Sequence, residues 1–184
     1  MTHSRHSDSR ITADLVEENR TWLRQLSQLL EAVSAESYTA AEGPFRRGGA
    51  GKHVRHVLEF YQGLLNGLPL KVDYDARVRE QALETDPAAA RERIHVLLQA
   101  LSDLERDMGT GAASNPSREV LYRVNGTCCH SIYSTLDREL LFLSSHTVHH
   151  LALIKFILEY QGITVPDELG VAPSTLQHER DQNR

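Results

Sequence analysis

Residues 139–158 read ELLFLSSHTVHHLALIKFIL. Glu139, Leu143, His146, His150, Leu153 and Ile157 follow one another at steps of three and four, which predicts a helix and puts these six side chains on one face. The face is otherwise apolar and should turn into a protein core. Two imidazoles on such a face need a reason, because a buried polar group is costly unless it finds a partner. The helix should begin near Thr135 or Asp137 and run to about Tyr160, with Gly162 as its stop.

Working outward, three more amphipathic segments appear. Leu15, Trp22, Leu26, Leu29, Leu30 and Val33 form a stripe at helical steps, with Thr12 or Asp14 as a possible cap. GKHVRHVLEFYQGLLNG predicts a second helix over about Gly51 to Asn66, bounded by a Gly-rich loop before it and by Gly67 and Pro69 after it. Asp86-Pro87 opens a third, whose stripe is Ile94, Leu97, Leu98, Leu101 and Leu104. LKVDYDARVREQALETD is charged and irregular and reads as a surface connection. REVLYRVNGTCCHSIYSTL reads as a short hairpin about Asn125-Gly126. The expected fold class is all-α, a four-helix bundle with a β-hairpin insertion between helices 3 and 4. Residues 1–10 are expected as a disordered tail, 11–176 as one domain and 177–184 as a flexible tail.

Composition narrows the function. Of 184 residues, 24% are charged and 40% hydrophobic, and the formal net charge is -5, which suits an ordinary soluble domain without a phosphate-tracking basic block. Nucleic acid is therefore not an expected partner. No apolar run reaches bilayer-spanning length and MTHSRHSDSR is not a signal peptide, so no membrane partner is expected and the cytoplasm is the expected compartment. Adjacent Cys128 and Cys129 do not fit disulfide geometry and read as reduced thiols. A C2 homodimer is the expected assembly.

The chain has ten histidines, and six of them cluster in two regions: His53 and His56, then His130, His146, His149 and His150. His146 and His150 at i and i+4 can bind one ion, as in the HExxH zinc helix. Thr147 and Val148 follow His146, so that motif's glutamate base is missing. A third ligand from a facing helix would complete an open three-histidine site, and His53 or His56 can supply it. The competing readings are a set of core imidazoles hydrogen-bonded to their neighbours and a pH sensor. Glu139 could orient a ligand ring or simply cap the helix, and Glu59 has the same ambiguity. His130 and Tyr133 could line a pocket mouth or stand on an ordinary surface hairpin. Arg55 reads as solvated, with an anionic substrate as the alternative, and Asp73-Tyr74-Asp75 reads as a solvated turn.

GKHVRHVLEFY followed by ELLFLSSHTVHHLALIKFIL resembles the DinB-like (DinB/YfiT-like) family of metal-dependent enzymes. Gly51, Val54, His56 and Val57 match its second-helix motif, and His146, His149, His150 and Gly162 its fourth-helix motif. The resemblance implies metal ligands His56, His146 and His150, with His53 as the fallback and His149 pointing elsewhere. It also implies a divalent metal, a small-molecule substrate and transfer of a low-molecular-weight thiol; imidazole ligands suit zinc, nickel or iron alike. Metal-dependent hydrolysis and a non-catalytic dimeric bundle are the alternatives. Leu151-Ala152-Leu153 stands where relatives often carry Arg-Gly-Gln.

Overall fold

The computed structural model describes residues 3–68, 71–109, 118–124 and 128–182. Among these the chain is mostly helical with one small sheet. Four long helices carry the structure: α1 (His3–Ala32), α3 (Ala50–Gly67), α5 (Pro87–Gly109) and α6 (Leu136–Tyr160). Short helices α2 (Ala35–Thr39) and α4 (Gln81–Thr85) sit in the connections, and α7 (Pro173–Gln182) follows α6. Strands β1 (Lys71–Asp73), β2 (Arg118–Val124) and β3 (Cys128–Ser134) form a sheet in the order β1-β2-β3. The expected hairpin is the β2–β3 pair, with Arg118 opposite Ser134 and Val124 opposite Cys128; its Asn125-Gly126 turn lies outside the described residues. β1 adds in parallel to β2.

α1 and α3 each pack against both α5 and α6. The shared core takes Leu23 and Leu26 from α1, Leu58 and Leu64 from α3, Ile94 and Leu101 from α5, and Leu140, Leu143 and Ile154 from α6, all fully buried. Each set recurs at the helical period, which is why the long helices were readable in advance.

α1 starts at His3, so Thr12 lies inside the helix and is no cap. Thr12 instead donates to Asp137 Oδ1 at 2.5 Å and ties α1 to the first turn of α6. The connection after α3, expected to be irregular, contains β1 and α4. By length and composition α6 is apolar enough to cross a membrane, with mean hydropathy 1.3, whereas no span was expected. The apolar positions are interrupted by polar ones in the sequence, yet the average over the window is high. One such helix is also what a core helix looks like, and α6 packs on α1 and α3.

α6 begins as expected. Thr135 Oγ1 accepts from the Arg138 backbone N–H at 3.3 Å, with Asp137 and Glu139 in the first turn, where negative charge suits the helix dipole. It ends at Gly162, whose φ of +79° suits glycine, and the Ile163 N–H closes back on Leu158 O at 3.0 Å. α5 opens with Asp86 Oδ1 accepting from the Ala88 N–H at 2.8 Å.

Candidate metal centre

The rotation of α6 about its own axis decides where His146 and His150 point. A buried polar network sets it. Asn19 Nδ2 donates to Leu140 O at 3.0 Å, and Tyr61 Oη donates to Asn19 Oδ1 at 2.8 Å. Thr147 Oγ1 in turn donates to Tyr61 Oη at 3.1 Å. Trp22 Nε1 donates to Ser144 Oγ at 3.0 Å, and Ser144 Oγ donates to Glu18 at 2.6 Å. With Ser144 facing α1 and Thr147 facing Tyr61, His146 and His150 face the N-terminal half of α3. There Gly51 lets the chain approach closely, because a Cβ at that position would strike the Glu84 carbonyl and the Tyr38 ring.

His56, His146 and His150 each offer a ring nitrogen, and the three lie within 4.8 Å of one another. His56 Nε2 is 3.1 Å from His146 Nε2, and His150 Nε2 is also 3.1 Å from His146 Nε2. An ion about 2.1 Å from tetrahedrally placed imidazole nitrogens sets them about 3.4 Å apart, close to the spacing of these two pairs. His146 Nε2 has a single in-plane lone pair, yet two ring nitrogens approach it. Its Nδ1 is buried without a hydrogen-bond partner. Hydrogen bonding alone leaves this cluster poorly satisfied, whereas a cation would receive all three lone pairs.

Burial, acting first, holds the three rings neutral. It lowers His56 to about 4, helped by the charge of Arg77, and His146 to about 4, helped by His149 and Arg77. His150 is lowered to about 3 by burial and then by its neighbouring imidazoles. Neutral imidazole is the form that binds metal, so no net proton has to leave near pH 7.

The surroundings are of two kinds. Phe60, Phe142 and Tyr74 make an aromatic wall. Phe142 stacks on His146 at 5.5 Å between centroids, Phe60 lies 4.3 Å from His146, and Tyr74 stacks on Phe60 at 5.1 Å. On the other side a pocket of about 350 Å³ opens, lined by Phe45, Arg47, Lys52, His53, His56 and His150 among others, and by no carboxylate. His53 is not one of the three converging rings. It sits behind His150, Nδ1 to Nδ1 at 3.0 Å, where it can accept the His150 Nδ1 proton and leave His150 Nε2 free for an ion.

The other candidates lie elsewhere. Exposed His149 meets His150 edge to face, with centroids 5.2 Å apart, and is not one of the converging rings. Glu139 meets no histidine: its Oε2 accepts from Tyr74 Oη at 2.7 Å and its Oε1 from Ser134 Oγ at 2.6 Å, so it steadies the aromatic wall. Glu59 Oε1 accepts the Glu80 N–H at 2.8 Å and anchors the start of α4. His130 and Tyr133 are exposed on β3 and line none of this pocket. Arg55 lines the pocket but is paired with Glu84. Asp73 Oδ1 accepts from the Asp75 and Ala76 N–H groups, which makes the expected turn.

Arg77 was missed. One of its terminal nitrogens lies 2.6 Å from His56 Nδ1, and its guanidinium sits 4.8 Å above the Phe60 ring. It belongs to a charged segment with no period, so only the return of the chain after β1 brings it here.

Over 116 residues the chain is 34% identical to the FK506-binding protein 5 of Rhizopus delemar. The match covers 60% of this chain but only 28% of that protein, so this chain corresponds to under a third of it. No family model matches the chain, and no solved structure does. These findings overturn the resemblance to the DinB-like family. That resemblance stood on two short histidine motifs, and i, i+4 spacing arises wherever two imidazoles share a helix face. The ligand set therefore rests on the geometry alone.

Proposed function

We propose that the chain is a divalent-metal-dependent enzyme, with His56, His146 and His150 as ligands and open coordination positions facing the 350 Å³ pocket. The observation that carries this reading is the convergence of three imidazole nitrogens, with His56 Nε2 and His150 Nε2 both 3.1 Å from the single lone pair of His146 Nε2. The four long helices are read as a four-helix bundle that supplies two ligand-bearing faces.

A bound divalent ion supplies Lewis acidity, which lowers the pKa of a coordinated water or thiol towards neutrality. Hydrolysis and thiol transfer are both open to such a centre. The donor set suits zinc, nickel or iron. The protein's own residues do the rest. His53 holds the His150 ring in orientation, and the aromatic wall of Phe60, Phe142 and Tyr74 keeps water from the inner side. Arg47 and Lys52 give the pocket a cationic rim, which favours a small substrate with a carboxylate or phosphate.

Cobalt(II) titration tests the reading. Expected is visible d–d absorption at one equivalent, shifted when a small thiol or inorganic phosphate is added. Colourless protein, or a spectrum that no small ligand perturbs, would contradict an open centre.

A further inference from the structure

The contact between Arg77 and His56 does not fit a metal-loaded centre. An arginine guanidinium can only donate, so at 2.6 Å His56 Nδ1 must be the acceptor. A neutral His56 then carries its proton on Nε2, the nitrogen that faces His146 Nε2 at 3.1 Å. An ion needs the opposite tautomer, with the Nε2 lone pair free and the proton on Nδ1. That Nδ1–H would point at the Arg77 N–H. The guanidinium charge also stands beside the place where a cation would sit.

A second position for Arg77 lies beside the first. Arg77 also lines a neighbouring pocket of about 280 Å³, whose walls include Glu59, Asp73 and Glu80. Lys71 lines this pocket too and Glu80 is paired with Arg93, so Glu59, whose charge already acts on Arg77, is the acid that favours this second position. Its Nε is buried without a partner, so the present position leaves a donor unused.

We propose that Arg77 and the metal ion compete for His56: with Arg77 on Nδ1 the ring is held in the tautomer that cannot coordinate, and uptake of the ion releases Arg77 towards Glu59 in the neighbouring pocket. On uptake the Arg77–Nδ1 hydrogen bond breaks, the Nε2 proton is lost to water, Nδ1 gains one from water, and the Nε2 lone pair goes to the ion. No net proton is released by His56. This inference rests on the metal-centre reading. Arg77 is a positioning residue here, acting through His56.

The test uses two readouts on the full chain, with R77M, which keeps a long side chain over Phe60, and R77A. Zinc affinity is measured by competition with a chromophoric chelator, and the His56 tautomer of metal-free protein by long-range ¹H–¹⁵N NMR. Expected are zinc binding at least tenfold tighter in both variants, and a wild-type His56 protonated on Nε2 that loses this preference in the variants. Unchanged or weaker zinc binding by R77M and R77A, with wild type still binding and H146A not, would overturn the competition alone. No binding by any variant would overturn both the competition and the metal centre. A wild-type His56 protonated on Nδ1 would overturn the competition whatever the affinities.

Discussion

His146 is where the side chains agree least. Two nitrogens press on one lone pair, and its Nδ1 has no partner. Replacing it by leucine removes the ring that neither neighbour can satisfy, so metal-free H146L should match wild-type stability or exceed it by about 1 kcal/mol while losing metal. Urea unfolding in chelator checks this; a loss above about 2 kcal/mol would mark His146 as structural instead. The pH dependence follows from the same rings. Folded His56 and His146 lie near 4 and His150 near 3, against about 6.5 unfolded. Between those values the unfolded chain binds more protons, so the stability these groups contribute is present above pH 6.5 and is lost as pH falls towards 4 and below. Metal-free wild type should therefore lose stability more steeply from pH 7 to 4.5 than a H56A/H146A/H150A variant. Parallel losses in urea midpoints would contradict burial of neutral rings.

The elements that aim these residues can be tested separately. α6 is fixed at its start by Thr135, so T135A should cost about 1 kcal/mol with little effect on metal affinity. Its rotation is fixed by Tyr61, whose hydroxyl both donates to Asn19 and accepts from Thr147. Y61F should cost about 1–3 kcal/mol and also weaken metal binding, because His146 is the neighbour of Thr147 in the chain. Thermal unfolding and metal titration of both variants separate the two effects. Helices of this length were legible because eighteen or more residues repeat an apolar period, and the Thr135, Asp86 and Gly162 signals gave their ends. The five residues of α4 and three of β1 are too short for any period, and β1 is defined by pairing with β2, which lies far along the chain. Arg77 falls between those two elements, which is why its contact with His56 could not be read.

At the scale of the molecule, α3 and α6 lie against each other with a histidine pair on each facing surface. The sequence spacing allowed either His53 or His56 to complete the cluster; the geometry selects His56 and sets His53 behind His150. The family resemblance went further than spacing can carry, since two imidazoles one turn apart record a helix face and not a lineage. The aromatic wall, the cationic pocket rim and the Arg77 contact come from segments that meet only in the folded chain. In the proposed reading they meet in a centre that holds a cation beside an anion-attracting pocket. The most direct measurement is elemental analysis of tag-free protein after purification with no added metal, beside H56A, H146A and H150A handled identically. The expected result is close to one equivalent of a single divalent metal in wild type and near zero in each variant. Metal-free wild type that also fails to take up zinc, nickel or iron(II), or variants that retain a full equivalent, would contradict the account.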